Sequence, residues 1–195
     1  YEMNTFYRVL SFDGSDFTKL VNPVSFNVKA LKITSMPATD RDNKVVFQRN
    51  VSQLEGEMLS AAQMLGDASN KIKYFKEAIK LVEAPYDELS KLIFNIDSKI
   101  KSINTSLYGN SLKSKLDIVE TPTAYSRLMS ILYEQKYSTS SPTLTHLESF
   151  EIAKEEFTPI FNQIKNLLKV DIKEIENKLK ILNAPYTPGR LKAKY

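Results

Sequence analysis

The stretch FQRNVSQLEGEMLSAAQMLGDASNKIKYFKEAIKLV, residues 47–82, decides the fold of this 195-residue chain. Its apolar residues recur in alternating steps of four and three residues, which is the spacing of a heptad stripe. The stripe consists of Phe47, Val51, Leu54, Met58, Ala61, Leu65, Ala68, Ile72, Phe75, Ile79 and Val82. This spacing predicts one long helix, from about residue 39 to residue 83, with the stripe in a bundle core.

The ends of this helix carry their own signals. Thr39 is the predicted N-cap, and Asp40 and Asp42 stand in the first turn, where the helix dipole favours anions. At the other end, Ala84-Pro85 breaks the helix, and Pro85 suits the first position of a second one. The short connection predicts an antiparallel pair of helices.

The second helix continues the same rhythm as far as Tyr108-Gly109-Asn110, which stops it, and a polar loop follows over residues 108–120. Its stripe consists of Leu89, Ile93, Ile96, Ile100, Ile103 and Leu107. A short third helix is predicted from Thr121-Pro122 to about Lys136. These two helices together match the length of the first.

A long final helix is predicted to run to about Asn183. Thr145 and Glu148 have the spacing of a capping box, although Ser141-Pro142 also allows an earlier start. Pro159 predicts a kink. The predicted stripe consists of Phe157, Phe161, Ile164, Leu168, Ile172, Ile175, Leu179 and Leu182. Its two successive four-residue steps, from Ile164 to Ile172, predict a local relaxation of the supercoil.

The predicted fold is therefore mainly α: an elongated antiparallel helical bundle over residues 37–195, built as a long helix, a broken return helix and a long helix. Residues 1–36 form a short N-terminal β segment, with alternating runs at 6–12 and 24–28 and a turn at Asp13-Gly14-Ser15. This segment is either a tail packed on the helices or, as we favour, the terminal strands of a β-sandwich domain whose other strands precede Tyr1.

Composition excludes several chemistries. The chain has no cysteine and one histidine, so thiolate sites are excluded and a zinc site is not expected. Its net charge of +4 is spread over alternating lysines and acids, which argues against a nucleic-acid interface. No apolar run is long enough to span a bilayer. We expect no cofactor, no metal, no nucleic acid and no membrane span.

No catalytic constellation is visible in the sequence. There is no Glu-x-x-His pair for a carboxylate-bridged metal centre and no Gly-x-Ser-x-Gly elbow. The single histidine, His146, is predicted to cap or pack at a junction between a loop and a helix rather than to catalyse. The chain is therefore not expected to be an enzyme.

Four short stretches give the sequence a family resemblance. They are PTAYSRL at 122–128, SSPTLTH at 140–146, FTPI at 157–160 and APYTPGRL at 184–191. In this order they resemble the C-terminal region of bacterial sortilin-like (VPS10-type) proteins with BNR repeats, which are often labelled glycosyl hydrolases. In that family a β-propeller and a small β-sandwich precede a helical region, and Tyr186 stands here where tryptophan is common.

The resemblance implies a non-catalytic C-terminal helical module that serves assembly or docking in an exported propeller protein. Its partners would be the upstream propeller and β-sandwich domains or another protein. The alternative is an accessory domain of a glycosyl hydrolase whose active site lies in the propeller.

The terminal motif supplies the candidate interaction residues, Tyr186, Pro188 and Arg190. Two hypotheses apply to it. In the first, the motif is a clasp in which Tyr186 packs near Pro85 and Tyr86. In the second, it is a docking tag in which Arg190 pairs with a carboxylate of a partner.

Overall fold

A computed structural model describes residues 2–29, 40–83 and 85–189 of the chain. These residues form two compact units: one holds the described residues up to Val45 together with Thr139–Ser141, and the other holds Val46–Ser138 and the described residues from Pro142 onward. The predicted boundary at residue 36, the predicted N-cap Thr39, the helix-breaking Ala84 and the candidate residue Arg190 lie outside the described residues.

The first unit contains four short strands in two antiparallel pairs, in which β1 pairs with β4 and β2 with β3. The strands are β1 (Glu2–Tyr7), β2 (Leu10–Phe12), β3 (Phe17–Lys19) and β4 (Val24–Lys29). The sequence pattern predicted two strands, but the first run is interrupted at Arg8 and Val9. The pattern also missed β3, because three residues are too few to establish an alternation.

The turn between β2 and β3 is confirmed at Asp13-Gly14-Ser15. The backbone N–H groups of Ser15 and Asp16 both donate to Asp13 Oδ1 at 2.9 Å. Gly14 has a φ of 104°, a conformation that side chains rarely allow. The bonds from Asp16 and Ser15 lower the pKa of the Asp13 carboxyl. All side chains of residues 7–26 are exposed, so this part of the ribbon buries no apolar face.

The second unit is mainly helical, as predicted, and its core joins five helices. The described helices are α1 (Arg41–Ile79), α2 (Asp87–Tyr108), α3 (Ser111–Lys115), α4 (Ala124–Tyr137), α5 (Leu144–Asn166) and α6 (Ile172–Ile181). All of them except α3 contribute residues to the core. The short α3 lies within the predicted polar loop and was not predicted. The Asn110 side chain starts it by accepting a bond from the N–H of Leu112 at 3.0 Å.

Contacts between helices give the relative directions of the helices. Phe47 meets Phe150 with ring centroids 5.7 Å apart, and further along Lys71 pairs with Glu176 at 3.0 Å, so α1 runs parallel to α5 and α6. The ion pair of Lys99 with Asp171 and that of Arg127 with Glu156 occur in the opposite order. Hence α2 and α4 form the broken return segment, which runs antiparallel to the two long helices, and the long helices also contact each other directly.

The predicted stripe of α1 is confirmed as core, since its residues from Phe47 to Ile79 are at most 7 % exposed. Two details of the prediction are wrong. Asp40 precedes the helix and caps it, because its Oδ1 accepts the N–H of Asn43 at 2.9 Å. The helix also ends at Ile79 rather than 83, because the N–H groups of Leu81 and Val82 bond three residues back and form a turn.

The start of α2 also differs from the prediction. Pro85 lies two residues before the helix, whose first bond runs from the N–H of Ser90 to the carbonyl of Tyr86 at 2.8 Å. The predicted stripe and stop of this helix are confirmed. All six stripe residues are buried, and Gly109 follows the helix with a φ of 85°.

Threonines set the starts of α4 and α5. Thr123 Oγ1 accepts the N–H of Ser126, so α4 begins at Ala124 rather than at Thr121-Pro122. Thr143, not Thr145, caps α5, and its capping box uses His146 rather than Glu148. The helix continues through Pro159 to Asn166 without a break.

The prediction of which residues of the final helix face the core is partly wrong. The structure buries Ile160 and Leu167, whereas the predicted neighbours Phe161 and Leu168 are only partly buried. A π-helical turn, Leu167–Asp171, then places Ile172 on the core face after a five-residue step. This turn lies at the predicted irregularity and accommodates one extra residue, which the sequence pattern had read as two four-residue steps.

Candidate functional site

A groove of about 540 Å³ with a mainly apolar lining lies between α1 and α4 in the second unit. We call it the α1–α4 groove. Phe47, Val51 and Ile131 belong to its floor and are buried, whereas Met129 and Tyr133 remain 37 % and 73 % exposed. Its other lining residues are Gln48, Ser52, Glu55, Leu132, Gln135 and Lys136. A volume of this size lies in the range of small-ligand sites.

Gln135 joins this groove to the start of α5. It is 4 % exposed and follows Ala124, Leu128 and Ile131 on the buried face of α4. Its Nε2 lies 3.0 Å from Nδ1 of His146, which also accepts the backbone N–H of Thr143 at 3.2 Å. Gln135 Oε1 is buried and has no hydrogen-bond partner.

The other ring nitrogen of His146 faces a carboxylate. Nε2 lies 2.7 Å from Oε2 of Glu134, and the His146 side chain is 12 % exposed. This contact, followed by a bond from Ser130, lowers the pKa of the Glu134 carboxyl. His146 therefore caps α5 and ties it to α4, which confirms the prediction that it packs at a loop–helix junction.

The terminal motif lies at the end of α6. Among its described residues, 184–189, Ala184 is the buried one at 5 % exposure, whereas Tyr186 is 50 % exposed and Pro188 is also exposed. Gly189 has a φ of 81°, and an added Cβ would meet Cε of Lys71 at 3.0 Å. The motif thus reaches α1, and Ala184 rather than Tyr186 is its core residue. The predicted packing of Tyr186 near Pro85 and Tyr86 stays a prediction.

Several charged side chains of the second unit form pairs between helices. Asp97 on α2 accepts bonds from Lys76 on α1 at 2.9 Å and from Lys101 at 3.0 Å. The bond from Lys76 is the main cause of the lowered pKa of the Asp97 carboxyl. Within residues 2–29, 40–83 and 85–189, no group of three or more histidine and acidic side chains is placed to hold a metal ion.

The sequence reasoning missed the α1–α4 groove. Two signals were available: a glutamine at a core position of α4, and the run Tyr125, Met129 and Tyr133, spaced by four residues on one side of that helix.

Comparisons with known proteins give no family assignment: no protein family, curated protein or solved structure matches the chain. None of the described helices is long and apolar enough to cross a membrane. The class that the structure defines is a mainly helical protein with an antiparallel bundle and a small N-terminal β ribbon.

Proposed function

We propose that this chain is a non-catalytic helical module that docks other domains or a protein partner. The observation that supports the proposal is the α1–α4 groove, where a buried floor is flanked by the exposed apolar side chains of Met129 and Tyr133. Apolar surface of this kind favours association, because covering it removes it from water.

The identity of the partner rests on the sequence resemblance. We propose the propeller and β-sandwich domains of a sortilin-like, exported protein as the occupant of the groove. The motif APYTPGRL at 184–191 and the three stretches before it support this part of the proposal.

Labelling of tyrosines tests the docking proposal without a variant. Tyr133 lines the groove, and Tyr74 on α1 is 46 % exposed and does not line it. We expect radical footprinting to label both residues in the isolated chain. In the full-length parent it should still label Tyr74 but no longer label Tyr133. Equal labelling of Tyr133 in the two proteins would contradict docking at this groove.

A measurement of glycoside turnover distinguishes the accessory-domain alternative from the docking proposal. Under the docking proposal, a full-length parent that turns over a chromogenic glycoside keeps that turnover when this chain is removed. Loss of turnover, with the remaining domains still folded by circular dichroism, would favour the alternative of a domain that completes a hydrolase site.

A further inference from the structure

The ring of His146 stands between two helices and contacts each through a different nitrogen. Nδ1 faces the first residue before α5, where the N–H of Thr143 lies 3.2 Å away. Nε2 faces α4, where Oε2 of Glu134 lies 2.7 Å away. A backbone N–H only donates, so Nδ1 is the acceptor in this arrangement and the ring proton is on Nε2.

Gln135 offers a second partner to the same nitrogen. Its Nε2 lies 3.0 Å from Nδ1 of His146, while its Oε1 is buried without a partner. A buried acceptor without a bond is costly and rare. Rotation of the carboxamide by half a turn exchanges its oxygen and nitrogen with little change of shape, and it would place Oε1 against Nδ1.

We propose that His146 is a proton-linked switch. The neutral ring caps α5, and the protonated ring instead binds Gln135 and Glu134 of α4. A proton taken from water binds Nδ1, so this nitrogen and the N–H of Thr143 become two donors and their contact is lost. Gln135 then turns its Oε1 to accept from Nδ1, and Nε2–H forms a charged pair with Glu134.

The charges around the ring set the balance between the two arrangements. Of the described acidic side chains, only that of Glu134 lies within 4 Å of the ring, and it belongs to α4. The ring also lies at the N-terminus of α5, where Thr143 is the N-cap. The helix dipole is positive at this end, and it disfavours an added positive charge on the ring. Near this end α1 contributes Phe47, packed on Phe150 of α5. The carboxylate of Glu134 therefore draws the protonated ring toward α4.

The chain is suited to a direct test because His146 is its only histidine. Side chains of other types ordinarily change charge outside pH 5–8. A change in the second unit over this range therefore reports on His146.

Nitrogen-15 NMR of the intact chain between pH 8 and pH 5 is the experiment. We expect the ring to change from the Nε2–H tautomer to the doubly protonated form. With the same midpoint, the Thr143 amide proton should move upfield, and its protection against exchange, taken relative to the intrinsic rate at each pH, should fall about fivefold, as for loss of one ordinary hydrogen bond. The side-chain amide signals of Gln135 should shift in step.

His146→Gln is the matched control, because glutamine at this position keeps the reciprocal capping box but does not titrate. In this variant the Thr143 and Gln135 signals should stay constant over the same range. Three results in the wild-type chain would overturn the proposal: a ring that does not titrate, an Nδ1–H tautomer at pH 8, or a titration that leaves Thr143 and Gln135 unmoved.

Discussion

Gln135 is the residue at which the apolar pattern of α4 is broken. Ala124, Leu128 and Ile131 predict a fourth apolar residue at this position, and the structure buries the glutamine instead, at 4 % exposure. The polar side chain is accommodated there because its amide reaches His146 and links α4 to the start of α5. At single positions, then, burial follows the helical period. A polar residue at a buried position, such as Gln135, makes a contact with a neighbouring helix.

Ile72 provides the simplest test of the core. It is fully buried, so Ile72→Ala should lower the free energy of unfolding by about 2–5 kcal/mol through lost burial and a residual cavity. Ile181→Ala is the control, because Ile181 is 78 % exposed and its truncation should cost under about 0.5 kcal/mol. Equal stability of the two variants in urea unfolding would mean that the stripe of α1 is not the core.

Asp97 provides a test of the pairs between helices. Its pKa is lowered in the folded chain, chiefly by the bond from Lys76, so its ionised form stabilises the fold above the ordinary pKa of an aspartate. This contribution is lost as the pH falls through the lowered value. We therefore expect Asp97→Asn to cost about 0.5–1 kcal/mol at pH 7 and almost nothing near pH 2.

Urea unfolding at low ionic strength and at the two pH values measures this difference for Asp97→Asn, because urea carries no charge and does not screen the ion pair. Glu155→Gln, on an exposed position of α5, should leave the free energy of unfolding unchanged at both. A cost for Asp97→Asn that is the same at pH 7 and pH 2 would show that the substitution acts through packing rather than through charge.

At the scale of the element, the π-helical turn Leu167–Asp171 keeps two halves of one long helix on the same core face. The buried residues Ile164, Leu167, Ile172 and Ile175 are separated by steps of three, five and three residues. Removal of one residue from the turn would convert these steps to three, four and three, which a continuous α-helix accommodates.

Two single-residue deletions test this interpretation. Deletion of the exposed Lys169 removes the extra residue of the turn, so the variant should unfold within about 1 kcal/mol of the parent. Deletion of the exposed Lys173 leaves the turn in place and rotates Ile175 and Leu179 by about 100° away from the core, so it should lower stability by several kcal/mol. Equal destabilisation by both deletions would contradict the role assigned to the turn.

At the scale of the whole molecule, the terminal motif decides whether the bundle is closed by its own chain. Ala184 is packed in the core cluster, and Gly189 lies against Lys71, whose ammonium also binds Glu176 of α6. These contacts favour a clasp on α1 over a free docking tag for residues 184–189.

Two C-terminal truncations distinguish the clasp hypothesis from the docking-tag hypothesis. Deletion of residues 184–195 should clearly lower the melting temperature, because it uncovers the surface that Ala184 covers. Deletion of 190–195 alone should leave the contacts of Ala184 and Gly189 in place and change the melting temperature little. Unchanged stability of the longer deletion, with lost association to upstream domains, would favour the docking tag.

The sequence by itself determined the helical class, the cores of α1 and α2 and the role of His146 at a helix start. Uninterrupted steps of four and three residues leave one apolar face on each of the first two helices, and the packing follows from that face. The resemblance, the docking function and the export of the chain stay predictions.

Only the tertiary structure decided which residues of the final long helix face the core, where the groove lies and how residues 184–189 pack at the end of the bundle. Ile160 and Phe161, like Leu167 and Leu168, are adjacent apolar residues, so periodicity alone does not choose between them. The neighbouring helices make the choice, because one member of each pair fits the core and the π-helical turn restores the phase afterwards. The same holds for Ala184, whose small side chain is buried where Tyr186 stays half exposed, since close packing selects by shape as well as by apolar character.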